Sequence, residues 1–221
     1  MSKMIDAVVK ECDQCQRNKI NVSKNYGKVP PTDDRGIPPW DTVHVDLAGP
    51  WTVELKLTDN GKILTKKILC FTAVDKATGW PEIIGIDNKR SESIATLFGN
   101  EWLSRYPRPR RVVYDNGGEF VRYKFQEILD NYGILSVPTT VKNPRANIPV
   151  ERLYLSMGDM LHTSQPFIGE CWMNEQKRAL QAVAWDIRFT INSTTSYTPG
   201  QLEFGRDMIM QAKVLVDWEK N

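Results

Sequence analysis

An aspartate set inside a β-branched alternation constrains this chain more than any other feature. Thr42-Val-His-Val-Asp46 alternates as a sheet strand does, and the Gly49-Pro50 pair after it reads as a breaker. Asp46 therefore falls where the sheet is to be buried, and an unpaired buried carboxylate is costly. A bound cation removes that cost. Strand candidates follow at Lys67–Asp75 and Pro81–Asp87, with Asn60-Gly61 and Ala77-Thr78-Gly79 as turns, so this stretch reads as an antiparallel meander.

The pattern then changes period. Ile94, Leu97, Phe98 and Trp102 make Ser91–Tyr106 an amphipathic helix, Arg111–Tyr114 is a short strand, Tyr123–Tyr132 is a helix closed by Gly133, and Ile134–Val141 is a fifth strand. A helix from about Pro149 carries the stripe Val150, Leu153, Met157, Met160 and Leu161; another, about Cys171–Ile191, carries Trp172, Leu180, Val183, Ala184 and Ile187. This order predicts an α/β fold: a mixed five-stranded sheet flanked by helices. Upstream, the proline-rich stretch 26–40 reads as a linker, and Ile5, Val8 and Val9 lead at helical spacing into Cys12-x-x-Cys15, half a metal site.

Composition excludes several classes. With 41% hydrophobic and 25% charged residues, the 221-residue chain is neither disordered nor a coiled coil. No apolar run approaches the about 20 residues of a membrane span, no secretory signal opens the chain, and four cysteines do not make a disulfide scaffold, so an intracellular protein is expected. The net charge of +2 says little about partners. Arg105, Arg108, Arg110 and Arg111, with no acid between them, are either a solvated basic turn or an edge along which DNA runs.

Two more acids sit at telling places: Asp115 at the end of the fourth strand and Glu151 in the first turn of a helix. Singly, each has a plain explanation, a turn at Asp115-Asn116-Gly117-Gly118 and a macrodipole contribution of about 0.3–1 kcal/mol at Glu151. Asp75 likewise reads as a polar strand-end residue. Together the three have a chemical reading. The first and fourth strands can neighbour one another only through a parallel crossover, which brings Asp46 and Asp115 to one end of the sheet, where a crossing helix can deliver Glu151. Three carboxylates suit hard divalent cations, and a pair of such ions promotes phosphoryl transfer on nucleic acid.

These residues resemble the integrases of retroviruses and long-terminal-repeat retrotransposons, especially the Ty3/gypsy-like branch. The likeness lies in Asp115 and Glu151 standing 35 residues apart, in Pro39-Trp40 with His44-Val-Asp46-Leu-Ala-Gly49-Pro50, in Tyr114-Asp115-Asn116-Gly117-Gly118-Glu119-Phe120, and in Asn143-Pro144-Arg145-Ala146-Asn147 before Glu151-Arg152. Thr198-Pro199 through Gly205-Arg206 resembles the segment that closes the family's core, and Cys12 and Cys15 the end of its zinc domain. The resemblance implies a ribonuclease H-like fold. It divides the chain into the end of a zinc domain (1–25), a linker (26–40), a catalytic core (41–210) and a tail (211–221). Asp46, Asp115 and Glu151 become the catalytic triad, holding two Mg²⁺ or Mn²⁺ ions. Asn116, Asn143, Arg145, Asn147 and Arg152 become DNA-binding residues. The implied activity is 3′-end processing of element DNA and strand transfer into target DNA, by a homo-oligomer acting on double-stranded DNA, away from membranes and in the nucleus.

The departures matter too. The family's zinc domain uses two histidines upstream of its cysteines, but His44 and His162 both lie downstream of Cys12, so Zn²⁺ binding at Cys12 and Cys15 is expected only with upstream histidines, and the chain reads as beginning inside that domain. Arg145 and Ile148 stand where Gln and Gly are usual, Tyr154 and Leu155 where polar or basic residues are common, and Gly158 where another DNA-contacting side chain is frequent. Two alternatives follow: a catalytically silent nucleic-acid-binding or assembly module derived from an integrase, and a hydrolytic nuclease of the same fold. Trp80-Pro81, Trp102 and Tyr106 read either as core or as a dimer face.

Overall fold

In a computed structural model, the structure describes residues 36–59, 61–139, 148–163, 167–169, 171–192 and 195–208, and the side chains of 148–152 fall outside that description. The central strand β1 (Thr42–Leu57) pairs antiparallel with β2 (Ile63–Asp75), which pairs antiparallel with β3 (Pro81–Gly85). The expected meander is therefore present, and its first turn is closed by Leu57 N–H donating to the Lys62 carbonyl and Gly61 N–H to that of Leu57. On its other edge β1 takes two parallel neighbours, β4 (Arg111–Tyr114) at residues 42–44 and β6 (Phe167–Gly169) at residues 55–57. β5 (Leu135–Pro138) extends the sheet beyond β4, giving the order β3-β2-β1-β4-β5.

One expectation is corrected here. Gly49-Pro50 does not end the first strand; β1 continues through it to Leu57. The pairing sums show how: Ala48 faces Cys70 but Trp51 faces Ile68, a one-residue shift. A one-residue shift exchanges the faces of a strand. Val43 and Val45 lie in one core cluster, whereas Ala48 joins Val53 and Leu55 in the other, although 48 is even and the others odd. Gly49 makes the bulge sterically possible. Its φ of +98° belongs to the left-handed half of backbone space, and a Cβ there would lie 2.5 Å from the Ile68 carbonyl oxygen.

Helices cover both faces. α1 (Ser91–Leu97) widens into a π-helical turn over Phe98–Leu103 and packs with α2 (Gly118–Val121) and α3 (Tyr123–Asn131) against Val43, Phe71, Ala73 and Val112. Phe98, Trp102, Phe120 and Phe125 are fully buried there, and a buried Phe side chain contributes about 1.5–3 kcal/mol. α4 (Ile148–Thr163) and α5 (Trp172–Phe189) cover the opposite face through Leu153, Met157, Leu161, Leu180, Val183 and Ala184, matching the stripes read from the sequence wherever side chains are described. The expected helix through Tyr106 is thus two geometries in succession, and α2 and β6 were not expected; periodicity does not register three- or four-residue elements. α6 (Pro199–Phe204) starts in a capping box, Thr198 Oγ1 accepting from Gln201 N–H at 3.0 Å and Gln201 Oε1 from Thr198 N–H at 2.9 Å. Among the described residues no helix is long and apolar enough to cross a membrane.

Buried polar groups tie the layers together. Asp75 is fully buried beneath the β2–β3 turn, accepting from the N–H groups of Trp40, Ala77 and Thr78 and from the Thr78 hydroxyl. Glu82 binds Arg188 of α5 at 2.9 Å and accepts from the Tyr106 hydroxyl, while the Arg188 guanidinium sits 4.2 Å over the Trp80 ring. Burial, with the Glu82 hydrogen bond, pushes the Tyr106 phenol up to about 12. Trp80, Trp102 and Tyr106 are thereby occupied within the protein, which favours the core reading over a dimer face.

Glu203 of α6 is half-buried against the same turn, bonded to Thr78, with its Oε1 enclosed and unpartnered among the described residues. Burial pushes its carboxyl up to about 7 from 4.5. A raised folded-state value means the native protein holds a proton that the unfolded chain releases, so this group makes stability fall as pH rises from about 4.5 to about 7. Urea midpoints should therefore drop across that interval, and Glu203→Gln should flatten the drop; an equal drop in the variant would assign it to another group.

Candidate active site

The register between β1 and β4 brings two acids level. His44 pairs with Val113, and both strands run in the same direction, so the register carried two residues past the end of the ladder sets Asp46 level with Asp115. Val112 and Tyr114 point into the α1–α3 cluster, hence Val113 and Asp115 take the other face, as do His44 and Asp46 by alternation with Val43 and Val45. That is the face under α4. Asp115 is exposed, and its Oδ1 accepts from Gly117 N–H at 2.9 Å, shaping the Asp115–Gly118 turn. Asn116 is also exposed and donates to the Thr139 carbonyl at 3.3 Å. The turn reading of this segment and its place at the strand end are both realised.

Asp46 is half-buried, less enclosed than its strand context suggests, and its Oδ1 accepts from Leu47 N–H at 2.7 Å. Its register partner on β2 is Thr72, which is fully buried, with its hydroxyl 3.1 Å from the Asp46 carbonyl oxygen. Thr72 Oγ1 also lies 2.9 Å from the Tyr154 hydroxyl of α4, which in turn bonds the Asp46 carboxylate. Burial first, and then the Asp46 charge, push the Tyr154 phenol up and keep it protonated. Tyr154 thus pins α4 at Asp46. Glu151 occupies the first turn of α4, as the sequence predicts, three residues before Tyr154 and so a neighbour on the helix surface.

The structure accordingly aligns Asp46 and Asp115 and sets the backbone of Glu151 one helical turn from the contact to Asp46. Among the described residues no three His, Cys, Asp or Glu side chains are grouped to hold a metal. The Glu151 and Arg152 side chains lie outside the described residues, as do Cys12, Cys15, Asn143, Arg145 and Asn147. Tyr154 and Thr72 are the site neighbours that the sequence reading missed. Hairpin register could in principle have named Thr72, but the Gly49-Pro50 bulge displaces that count by one.

Comparison with known proteins follows the same outline. Residues 40–144 match the integrase core domain family. The match includes Asp46 and Asp115 and stops seven residues short of Glu151, leaving the third acid to its spacing and its place on α4. Nothing among the curated proteins matches the sequence. Two solved structures share the integrase-like architecture. The catalytic core domain of BIV integrase aligns with TM-score 0.54 at 18% identity, over 74% of this chain and 93% of that one. The HTLV-2 integrase catalytic core domain in complex with magnesium, in a trimeric form, gives TM-score 0.54 at 18% identity, over 76% and 99%. The fold is ribonuclease H-like, with the sheet extended from five strands to six.

The arginine cluster has structural partners. Arg110 Nε and Arg111 Nη2 lie 3.0 and 3.1 Å from the two Asp41 oxygens, Arg111 Nε donates to Thr42 Oγ1, and Arg108 donates to the Tyr132 and Gly133 carbonyls that end α3. Burial raises the Asp41 carboxyl, but the Thr42 hydroxyl and the two guanidiniums outweigh it and hold it low. These contacts fasten the start of β1 to β4, where the pairing that aligns the two acids begins. Arg111→Ala should therefore lower stability by about 1 kcal/mol in urea unfolding. It should change the salt slope of DNA binding by far less than the about 0.9 of a lost phosphate contact. A full contact's worth of slope would restore the DNA-edge reading.

Proposed function

We propose that the chain is an integrase-type polynucleotidyl transferase that processes the 3′ ends of an element's DNA and joins them to target DNA. The observation carrying this reading is the β1–β4 register, which carried two residues past its ladder brings Asp46 level with Asp115 on the face crossed by α4, whose first turn holds Glu151. The family match to residues 40–144 supports it.

An all-oxygen donor set of carboxylates suits Mg²⁺ or Mn²⁺. In this reading Asp46, Asp115 and Glu151 would hold two such ions, which when bound supply Lewis-acid polarisation of the phosphoryl oxygen and a nucleophile usable at neutral pH. The protein's own part is orientation. The Leu47 N–H and the Tyr154 hydroxyl fix the Asp46 carboxylate, and the Gly117 N–H fixes that of Asp115. Exposed Asn116 borders the pair, and with Asn143, Arg145, Asn147 and Arg152 it is assigned to DNA, where phosphate contacts position the strand without choosing its sequence. Double-stranded DNA as partner, action as a homo-oligomer and a nuclear location belong to the same proposal.

The test is strand transfer of a labelled terminal-repeat oligonucleotide into plasmid with Mg²⁺ or Mn²⁺. Joined products should form with the unsubstituted chain and fall at least about 100-fold in Asp46→Asn, Asp115→Asn and Glu151→Gln, since even outer-shell partners of metal ligands are worth 10–100-fold. Cleavage without joining would favour the hydrolytic nuclease. Metal binding with neither reaction would favour the silent module.

A further inference from the structure

Tyr154, a half-buried side chain of α4, reaches a candidate metal-binding carboxylate. Its ring stands edge-on to Trp51 at 6.5 Å between centroids, and its hydroxyl meets Asp46 and Thr72 at one register position of the β1–β2 hairpin. The proton count is specific. A phenol has one proton to give, and a bond to an ionised acceptor is the stronger use of it, so the Tyr154 O–H is assigned to the Asp46 carboxylate, and the single Thr72 hydroxyl proton is shared between the Tyr154 oxygen at 2.9 Å and the Asp46 carbonyl oxygen at 3.1 Å. The Leu47 N–H adds a second donor to the same carboxylate at 2.7 Å. These two described donors fix the group's direction, and a carboxylate offers about four lone-pair sites in all, more than they occupy.

A buried tyrosine needs a partner for its hydroxyl, and one placed only for packing is replaced by phenylalanine without effect beyond the lost hydrogen bond. Here the partner is the acid whose orientation matters most to the site, and the contact lies one turn from Glu151. We infer that Tyr154 is a positioning residue: its hydroxyl holds the Asp46 carboxylate in a single orientation against α4 and thereby raises the affinity of the Asp46–Asp115 pair for a divalent cation. This rests on the assignment of Asp46 as a metal ligand.

Titration of Mn²⁺ into the full chain by calorimetry tests it. Tyr154→Phe should keep the ring in place and weaken Mn²⁺ binding about 10-fold, as loss of a partner that orients a ligand does. Asp46→Ala should remove the binding. Unchanged affinity in Tyr154→Phe, with binding lost in Asp46→Ala, overturns the role of Tyr154 and leaves the metal site standing. No Mn²⁺ binding by the unsubstituted chain overturns the site assignment and the affinity claim together. The contact itself is read separately by thermal unfolding of the two variants and their combination. The Tm loss caused by Tyr154→Phe should shrink in the Asp46→Ala background to the share owed to the Thr72 bond; an equal loss in both backgrounds overturns the coupling.

Discussion

The parallel pairing of β1 with β4 is the constraint on which the rest of the structure depends. It spans only three register positions, Thr42 with Arg111 to His44 with Val113, yet it fixes which acids share a face. Backbone hydrogen bonds alone would hold so short a ladder weakly. The sheet reinforces it from both sides: Val43, Val45, Val112 and Tyr114 drive into the α1–α3 cluster, and at the ladder's start Asp41 receives Arg110 and Arg111. The guanidiniums are therefore part of the alignment of Asp46 with Asp115 even though neither lies at the site.

A second set of interactions positions α4. Its apolar stripe, Leu153, Met157 and Leu161, decides that it packs on the sheet, but a stripe of aliphatic side chains permits sliding. The hydrogen bonds of Tyr154 with Thr72 and Asp46 are directional and admit one placement. Hydrophobic burial supplies the attraction and a single half-buried hydroxyl supplies the registration. The same division holds on α5, where Leu180, Val183 and Ala184 pack and Arg188 locks onto Glu82 and Trp80.

Much of this was legible from residue order. The meander, β4 with its stated ends, α3 ended by Gly133, and the stripes of α4 and α5 all follow from periodicity and turn chemistry, because each is a local preference that tertiary packing reinforces. The failures have a common cause. Gly49-Pro50 breaks an isolated strand, but here both neighbouring segments are already paired to β2, so the irregularity is absorbed as a bulge. The partners of Arg108 and Arg111 lie 24 and 70 residues away, and those of Tyr154 lie 82 residues away at Thr72, separations that no local pattern encodes. For the site, the positions of Asp46, Asp115 and Glu151 at a strand, a strand end and a helix start could be read in advance; the hydroxyl between the strand and the helix could not.

The bulge at Gly49 also governs how this hairpin can change length over time. Because the outer half of β1 is displaced by one step relative to β2, Val53, Leu55 and Ile68 are inward only while that step is kept. A single residue gained or lost on one strand would either cancel the step or double it, turning a buried face toward water. Residues added in opposed pairs at the tip, beyond Leu57 and Ile63, would leave every inward position where it is. Growth of this arm is therefore open to symmetric extension and closed to one-sided insertion, and the limit is imposed by one glycine well away from the loop in which the insertion would occur.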